Sequence, residues 1–205
     1  RKLLRPAGKY RAQFISMIVM TALGIGVFVG FNTEWYTIER DTASLFERTG
    51  FADQRVIDAS GFSRDDLEKV RNIPGVDGAT LYISFNTVAS DGDTVALTVT
   101  SDPDVSGFIV TSGEAYDEKS ADGIWLSDRY AKENGIEEGD TLTLGYKGLN
   151  FTGRVAGLIK SGEYMICVPD PTQLMPDYST YGYAYVSPAA LEERTGGEIY
   201  TQINV

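Results

Sequence analysis

The chain has 205 residues, 42% of them hydrophobic, with 22 glycines and a formal net charge of −11. It contains no histidine, which removes Ser-His-Asp and Cys-His nucleophiles and His-ligated zinc. Its one cysteine, Cys167, rules out an internal disulfide, and it has no G-x-x-x-x-G-K-[ST] loop for binding a nucleotide phosphate.

The charge is divided unevenly along the chain. Residues 1–13 form a basic leader with Arg1, Lys2, Arg5, Lys9 and Arg11 and no acid. The other 192 residues hold 13 of the 18 bases and all 29 acids, a net of −16. An acidic body of this kind is a poor nucleic-acid binder, because phosphate contacts need basic patches.

An uncharged apolar run follows the leader, from Phe14 to Phe31. Its length is roughly 27 Å as a helix, close to the bilayer core of about 30 Å. A secretory signal would have a shorter apolar region, of about 7–15 residues, and a small-x-small cleavage site. No A-x-A pattern occurs between Gly30 and Tyr36, so residues 14–31 are expected to be a transmembrane helix. The basic flank before it and the acidic flank after it orient the N-terminus to the cytoplasm and the main domain outside. Tyr10, Trp35 and Tyr36 are expected to be interfacial anchors. Ala22, Gly26 and Gly30 recur every four residues, a spacing that lets a second helix approach closely; glycine is also common in membrane helices generally.

Residues 32–50 read as a helical stalk that ends at Gly50. Beyond it lie two β-α-β patterns. In the first, residues 54–59 form a strand, Ser63-x-x-Asp66 opens a helix with a capping box, and residues 79–88 form a second strand. In the second, residues 182–186 form a strand, Ser187 and Pro188 start a helix that ends at Gly196, and residues 199–205 form a strand. The pair suggests a split βαβ, ferredoxin-like subdomain from residues 51–88 and 177–205, with a β-rich insertion at residues 89–176. Within the insertion, Asp91-Gly92 and Lys147-Gly148 read as turns. Residues 94–101, 123–126, 141–146 and 151–159 read as strands, and Ser127 as the cap of a helix closed by Gly135. The fold class is therefore α+β. No spacing singles out a catalytic, cofactor-binding or metal-ligating set.

The stretches GIGVFVGFN in the apolar run, IPGVDGATLYIS, GIWLSDRYAKENGIEEGDTLTL, GRVAGLIKSGEY, AYVSPAALEE and IYTQINV together resemble ABC-transporter permeases of the FtsX-like class and the MacB-type periplasmic core domain. The resemblance implies a porter-like extracytoplasmic domain with an inserted β-rich part. It also implies a non-catalytic permease in a bacterial cell membrane, with ATP and Mg held by a separate cytoplasmic ABC ATPase. A second permease copy and membrane lipid are the other expected partners. Such permeases work by mechanotransmission, in export, lipoprotein release or signalling. The family has further membrane helices, so this chain is expected to be a segment of a longer polypeptide. The alternative reading is a single-pass extracytoplasmic sensor or ligand-binding module that uses Tyr164, Tyr178, Tyr181, Tyr183 and Tyr185 as an aromatic surface.

Overall fold

The apolar run and the proline-free stretch after it fold as one helix, α1, Arg11–Thr49, in the computed structural model. The structure describes residues 10–170, 172–173, 175–197 and 199–205. Of the leader cations, Arg1, Lys2, Arg5 and Lys9 lie outside the described residues. Arg11 begins the helix. At about 1.5 Å per residue α1 is roughly 58 Å long. Its most apolar 18-residue window has a mean hydropathy of 2.3, and the large side chains from Phe14 to Phe31 are exposed. Just beyond the run, the polar groups of Asn32 and Thr37 bond back to the carbonyls of Phe28 and Thr33, both at 2.9 Å.

The chain divides between Ser44 and Leu45 into two compact units. The second unit is built on a mixed nine-stranded sheet in the order β1-β9-β2-β3-β8-β5-β7-β4. The strands are β1 (Arg55–Ile57), β2 (Thr80–Ala89), β3 (Thr94–Thr100), β4 (Ile109–Gly113), β5 (Gly123–Ser127), β6 (Thr141–Tyr146), β7 (Leu149–Lys160), β8 (Tyr181–Val186) and β9 (Gln202–Asn204). β6 pairs with both β2 and β7, closing a circuit β2-β3-β8-β5-β7-β6.

Local chemistry sets the helices and turns. Helix α2, Arg64–Arg71, starts at a capping box: Ser63 Oγ accepts the Asp66 N–H, and the Asp66 carboxylate accepts the Ser63 N–H. Such a cap contributes about 1 kcal/mol. Helix α4, Pro188–Thr195, is capped by Ser187 Oγ on the Ala190 N–H and ends at Gly196 with φ +75. Helix α3, Asp128–Asn134, ends at Gly135 in the left-handed region, as its glycine suggests, but Ser127 makes no side-chain cap. Ser127 is itself buried at the end of β5.

β1 and β2 both run antiparallel to β9 and flank it. The unit β1-α2-β2 therefore holds the last strand of the chain between its two parallel strands. β3 to β7, expected in a separate insertion, share this sheet: β3 pairs with β2 and β8, and β5 with β8. The boundary expected at residues 89 and 176 does not coincide with a break in the hydrogen-bonded sheet. β4 is an additional strand, and β9 is shorter than residues 199–205. Thr201 and Tyr200 give their carbonyls to the Asp58 and Phe62 N–H groups of the turn before α2.

Side-chain alternation gives the sheet two buried faces. On one, Leu81, Leu97, Leu126, Ala184 and Ile203 pack with Leu67, Tyr130 and Leu191 from the helices. The other is aromatic: Tyr82, Trp125, Tyr181, Tyr183 and Tyr185 with Cys167. β8 (YGYAYV) serves both, placing its three tyrosines on the aromatic face. Gly182 on the opposite face is required, because a Cβ there would sit 2.4 Å from Cγ of Tyr130.

Candidate functional site

The last turn of α1, Leu45–Thr49, belongs to the second unit. It is where the long helix enters the sheet domain, and its surroundings are built to hold it. Thr49 is 2% exposed, and its hydroxyl donates to the Leu45 carbonyl at 2.8 Å. The chain then turns at Gly50, φ +56. A Cβ on Gly50 would lie 1.9 Å from the Asp104 carbonyl oxygen, so only glycine fits both the backbone angle and the space. Past the turn, the Phe51 ring stacks on Phe46 with centroids 4.2 Å apart. The Phe51 N–H donates to the Phe46 carbonyl at 3.0 Å.

Two loops grip this turn. The first joins β3 to β4: Ser106 N–H donates to the Gly50 carbonyl at 2.7 Å, and Gly107 N–H to the Thr49 carbonyl at 2.9 Å. These bonds satisfy carbonyls that a helix end otherwise leaves open. The loop is itself tight. Ser106 has φ +51 and is buried, and a Cβ on Gly107 would lie 1.8 Å from the Pro103 carbonyl oxygen. The second loop follows β7 as a 3-10 turn, Gly162–Tyr164. Gly162 lies against Thr49, Phe46 and Phe51; a Cβ there would meet Thr49 Oγ1 at 2.6 Å.

Ser161 joins the two loops and the aromatic face. Its hydroxyl donates to the Gly107 carbonyl at 2.8 Å and lies 3.1 Å from the Tyr185 hydroxyl. The Ser161 N–H donates to Tyr183 Oη at 3.1 Å, and Tyr185 donates to the Ser106 carbonyl at 3.1 Å. Tyr164 stacks on Tyr183 with centroids 4.4 Å apart, its hydroxyl 2.7 Å from those of Ser84 and Thr98. The end of α1 thus connects by hydrogen bonds to phenols of the central strand β8. The arrangement can hold a helix end rigidly.

The five tyrosines that the alternative reading would use as a binding surface are placed differently. Tyr181, Tyr183 and Tyr185 are buried, and Tyr164 and Tyr178 are half-buried against them. The reason is the pleat: both faces of β8 are covered, so its aromatic side is core. Cys167 is buried in the same cluster, and burial pushes its thiol up to about 12. The native thiol is expected to resist maleimide at pH 8 and to label fully only after denaturation, as read by intact-mass spectrometry.

Along α1, Ala22, Gly26 and Gly30 lie on one exposed face. A Cβ on Gly26 or Gly30 would meet nothing within 4 Å. Tyr10, Trp35 and Tyr36 are likewise exposed. Of the junction residues, sequence reasoning picked out Gly50 alone, as a helix stop. Ser106, Gly107, Ser161, Gly162 and Glu163 were not singled out; the glycines beside serines in VSGF and KSGEY are the signal available for them.

The family model of the MacB-like periplasmic core domain matches residues 14–205. Among solved structures, the chain is similar to the extracellular domain of the noncanonic ABC-type transporter YknZ from Gram-positive bacteria. That match has 14% identity and a TM-score of 0.49, and covers 71% of this chain and 73% of that one. It is also similar to the periplasmic region of MacB from Actinobacillus actinomycetemcomitans, at 13% identity and a TM-score of 0.47, covering 72% of this chain and 64% of that one. No curated protein sequence matches the chain.

Proposed function

The chain belongs to the family of the MacB-like periplasmic core domain of ABC-type transporter permeases, and on that premise we propose that it couples ATP hydrolysis on a partner ATPase to motion of its extracytoplasmic domain. In this reading residues 14–31 cross the membrane with the basic leader in the cytoplasm. Ala22, Gly26 and Gly30 receive a neighbouring helix, from the same permease or from a second copy. The permease itself is non-catalytic, and the transported species or signalled partner meets the outer domain.

The observation that supports this reading most is the continuity of α1. One uninterrupted helix carries the apolar run and ends, at Thr49, in a junction bonded to two loops of the sheet. An interrupted helix would dissipate displacement at the break; a continuous one transmits it.

Gly26→Leu tests the packing face. Among the described residues nothing lies within 4 Å of a Cβ at Gly26, so in this reading the added side chain acts on a neighbouring helix. The expected result, in the assembled permease–ATPase complex, is unchanged unfolding of the outer domain. The response of the Ser106 and Gly107 amides to a non-hydrolysable ATP analogue is lost, as read by hydrogen exchange. A wild-type complex whose junction amides exchange identically with and without nucleotide would overturn the coupling reading.

A further inference from the structure

The junction contains one ion pair that the backbone bonds do not explain. Glu163, in the 3-10 turn after β7, has a side chain only 3% exposed. One of its carboxylate oxygens accepts the Ala52 N–H at 3.3 Å, and the other binds the Arg55 guanidinium. Ala52 is two residues past the helix-ending Gly50, and Arg55 begins β1. The carboxylate sits on a firm base. Its own N–H donates to Ser161 Oγ at 3.3 Å, and the next ring, Tyr164, is stacked on Tyr183. β1 is three residues long, at the end of the sheet, and pairs with β9 alone. Arg55–Glu163 is therefore a second attachment of β1, and it reaches the loop that also touches Thr49 and Phe46.

We propose that Glu163 is a positioning residue that latches the segment leaving α1, so that the last helical turn, the two gripping loops and edge strand β1 move as one body. The proposal rests on the coupling reading given above for its functional meaning, and on the junction geometry alone for its structural content. Burying a carboxylate is costly unless it is paired. A site that keeps one at 3% exposure beside a half-exposed arginine uses the pairing to fix a position, since an exposed pair contributes little to stability. Pairing also makes the two partners unequal. Removing Glu163 leaves Arg55 free to reach water, whereas removing Arg55 leaves a buried carboxylate with one N–H donor.

The test is residue-resolved hydrogen exchange on the full chain in lipid nanodiscs. For Glu163→Ala, the Ala52, Ser106 and Gly107 amides are expected to exchange about ten-fold faster or more, while the Val95–Val99 amides of β3 stay at wild-type rates. Arg55→Gln is expected to accelerate the same amides more than Glu163→Gln does. If Ser106 and Gly107 keep wild-type rates in Glu163→Ala, the backbone bonds hold the junction alone and the latch is overturned. Should Glu163→Ala unfold β3 as well, Glu163→Gln decides: it keeps an acceptor for Ala52 and the side-chain shape but loses the charge. Faster exchange at Ser106 and Gly107 then supports the latch, and unchanged exchange refutes it. Failure of the coupling reading would show separately, as a wild-type complex without a nucleotide response, and would leave these exchange results standing.

Discussion

Gly50→Ala is expected to detach the end of α1 from the sheet domain and to destabilise that domain by about 3 kcal/mol or more. Two effects add. A non-glycine residue at φ +56 carries backbone strain of about 1–3 kcal/mol. The new Cβ, placed 1.9 Å from the Asp104 carbonyl oxygen, also has no flexible side chain to push aside. Relieving the overlap moves the 102–107 loop and breaks Ser106 N–H to Gly50 O and Gly107 N–H to Thr49 O. Each of these bonds contributes about 1 kcal/mol, and more if its buried partner is left unpaired. Gly135→Ala is the control. Gly135 has φ +64, in the same left-handed region as Gly50, but its Cβ would meet nothing within 4 Å, so it isolates the backbone cost. Urea unfolding of both variants against wild type measures the difference. Equal midpoints for Gly50→Ala and Gly135→Ala would mean that the junction yields without resistance, and the close packing of Asp104 on Gly50 would carry no energetic weight.

What could be read from the sequence follows the range of the forces involved. The stop of α1 at Gly50, the Ser63–Asp66 capping box, the Ser187-Pro188 start and the turns at Asp91-Gly92 and Lys147-Gly148 are set within a few residues. The structure places each of them where local chemistry indicates. The ladders are set at long range. Nothing local announces that β8 pairs in parallel with β3 and antiparallel with β5, and so the strands of the expected insertion could not be seen to join the same sheet. The full burial of the β8 tyrosines is hidden in the sequence for a related reason. Alternation in YGYAYV shows a two-faced strand, yet it cannot tell a solvated face from a second buried one. The junction was least legible. Its loops, SDPDVSG and KSGEY, have no periodicity, and Ser106 adopts φ +51 without being glycine. That backbone angle follows from the contacts with α1 and β8, which appear only after folding. The small-residue face of α1 differs again: among the described residues, nothing lies within 4 Å of a Cβ at Gly26 or Gly30.

Raising the pH past 10 is expected to unfold the sheet domain cooperatively. Burial raises the phenol pKa of Tyr82, Tyr116, Tyr130, Tyr164, Tyr181, Tyr183 and Tyr185, Tyr181 to about 12 and Tyr82 and Tyr185 well above the usual value of 10.0. Desolvation is the first cause in every case; for Tyr82, Tyr181 and Tyr185 the neighbouring Tyr164 adds to it. The sign follows from proton binding. Above pH 10 the unfolded chain releases phenolic protons that the folded chain retains, so the unfolded state binds fewer protons and stability falls as pH rises. Below pH 10 both states hold these protons and the stabilisation is fully present. Between the unfolded and folded values, each phenol removes up to about 1.4 kcal/mol per pH unit. A domain stable by about 5–15 kcal/mol does not survive several such losses together. The expected midpoint therefore lies above pH 10, where the unfolded chain loses phenolic protons that the folded chain retains. The share of the phenolate absorbance near 295 nm that belongs to these seven buried phenols should rise in one step that coincides with loss of the near-ultraviolet circular dichroism. Full phenolate absorbance reached with the dichroism intact would show that the aromatic face admits water. The phenols could not then be the rigid anchor to which Ser106 and Ser161 tie the end of α1.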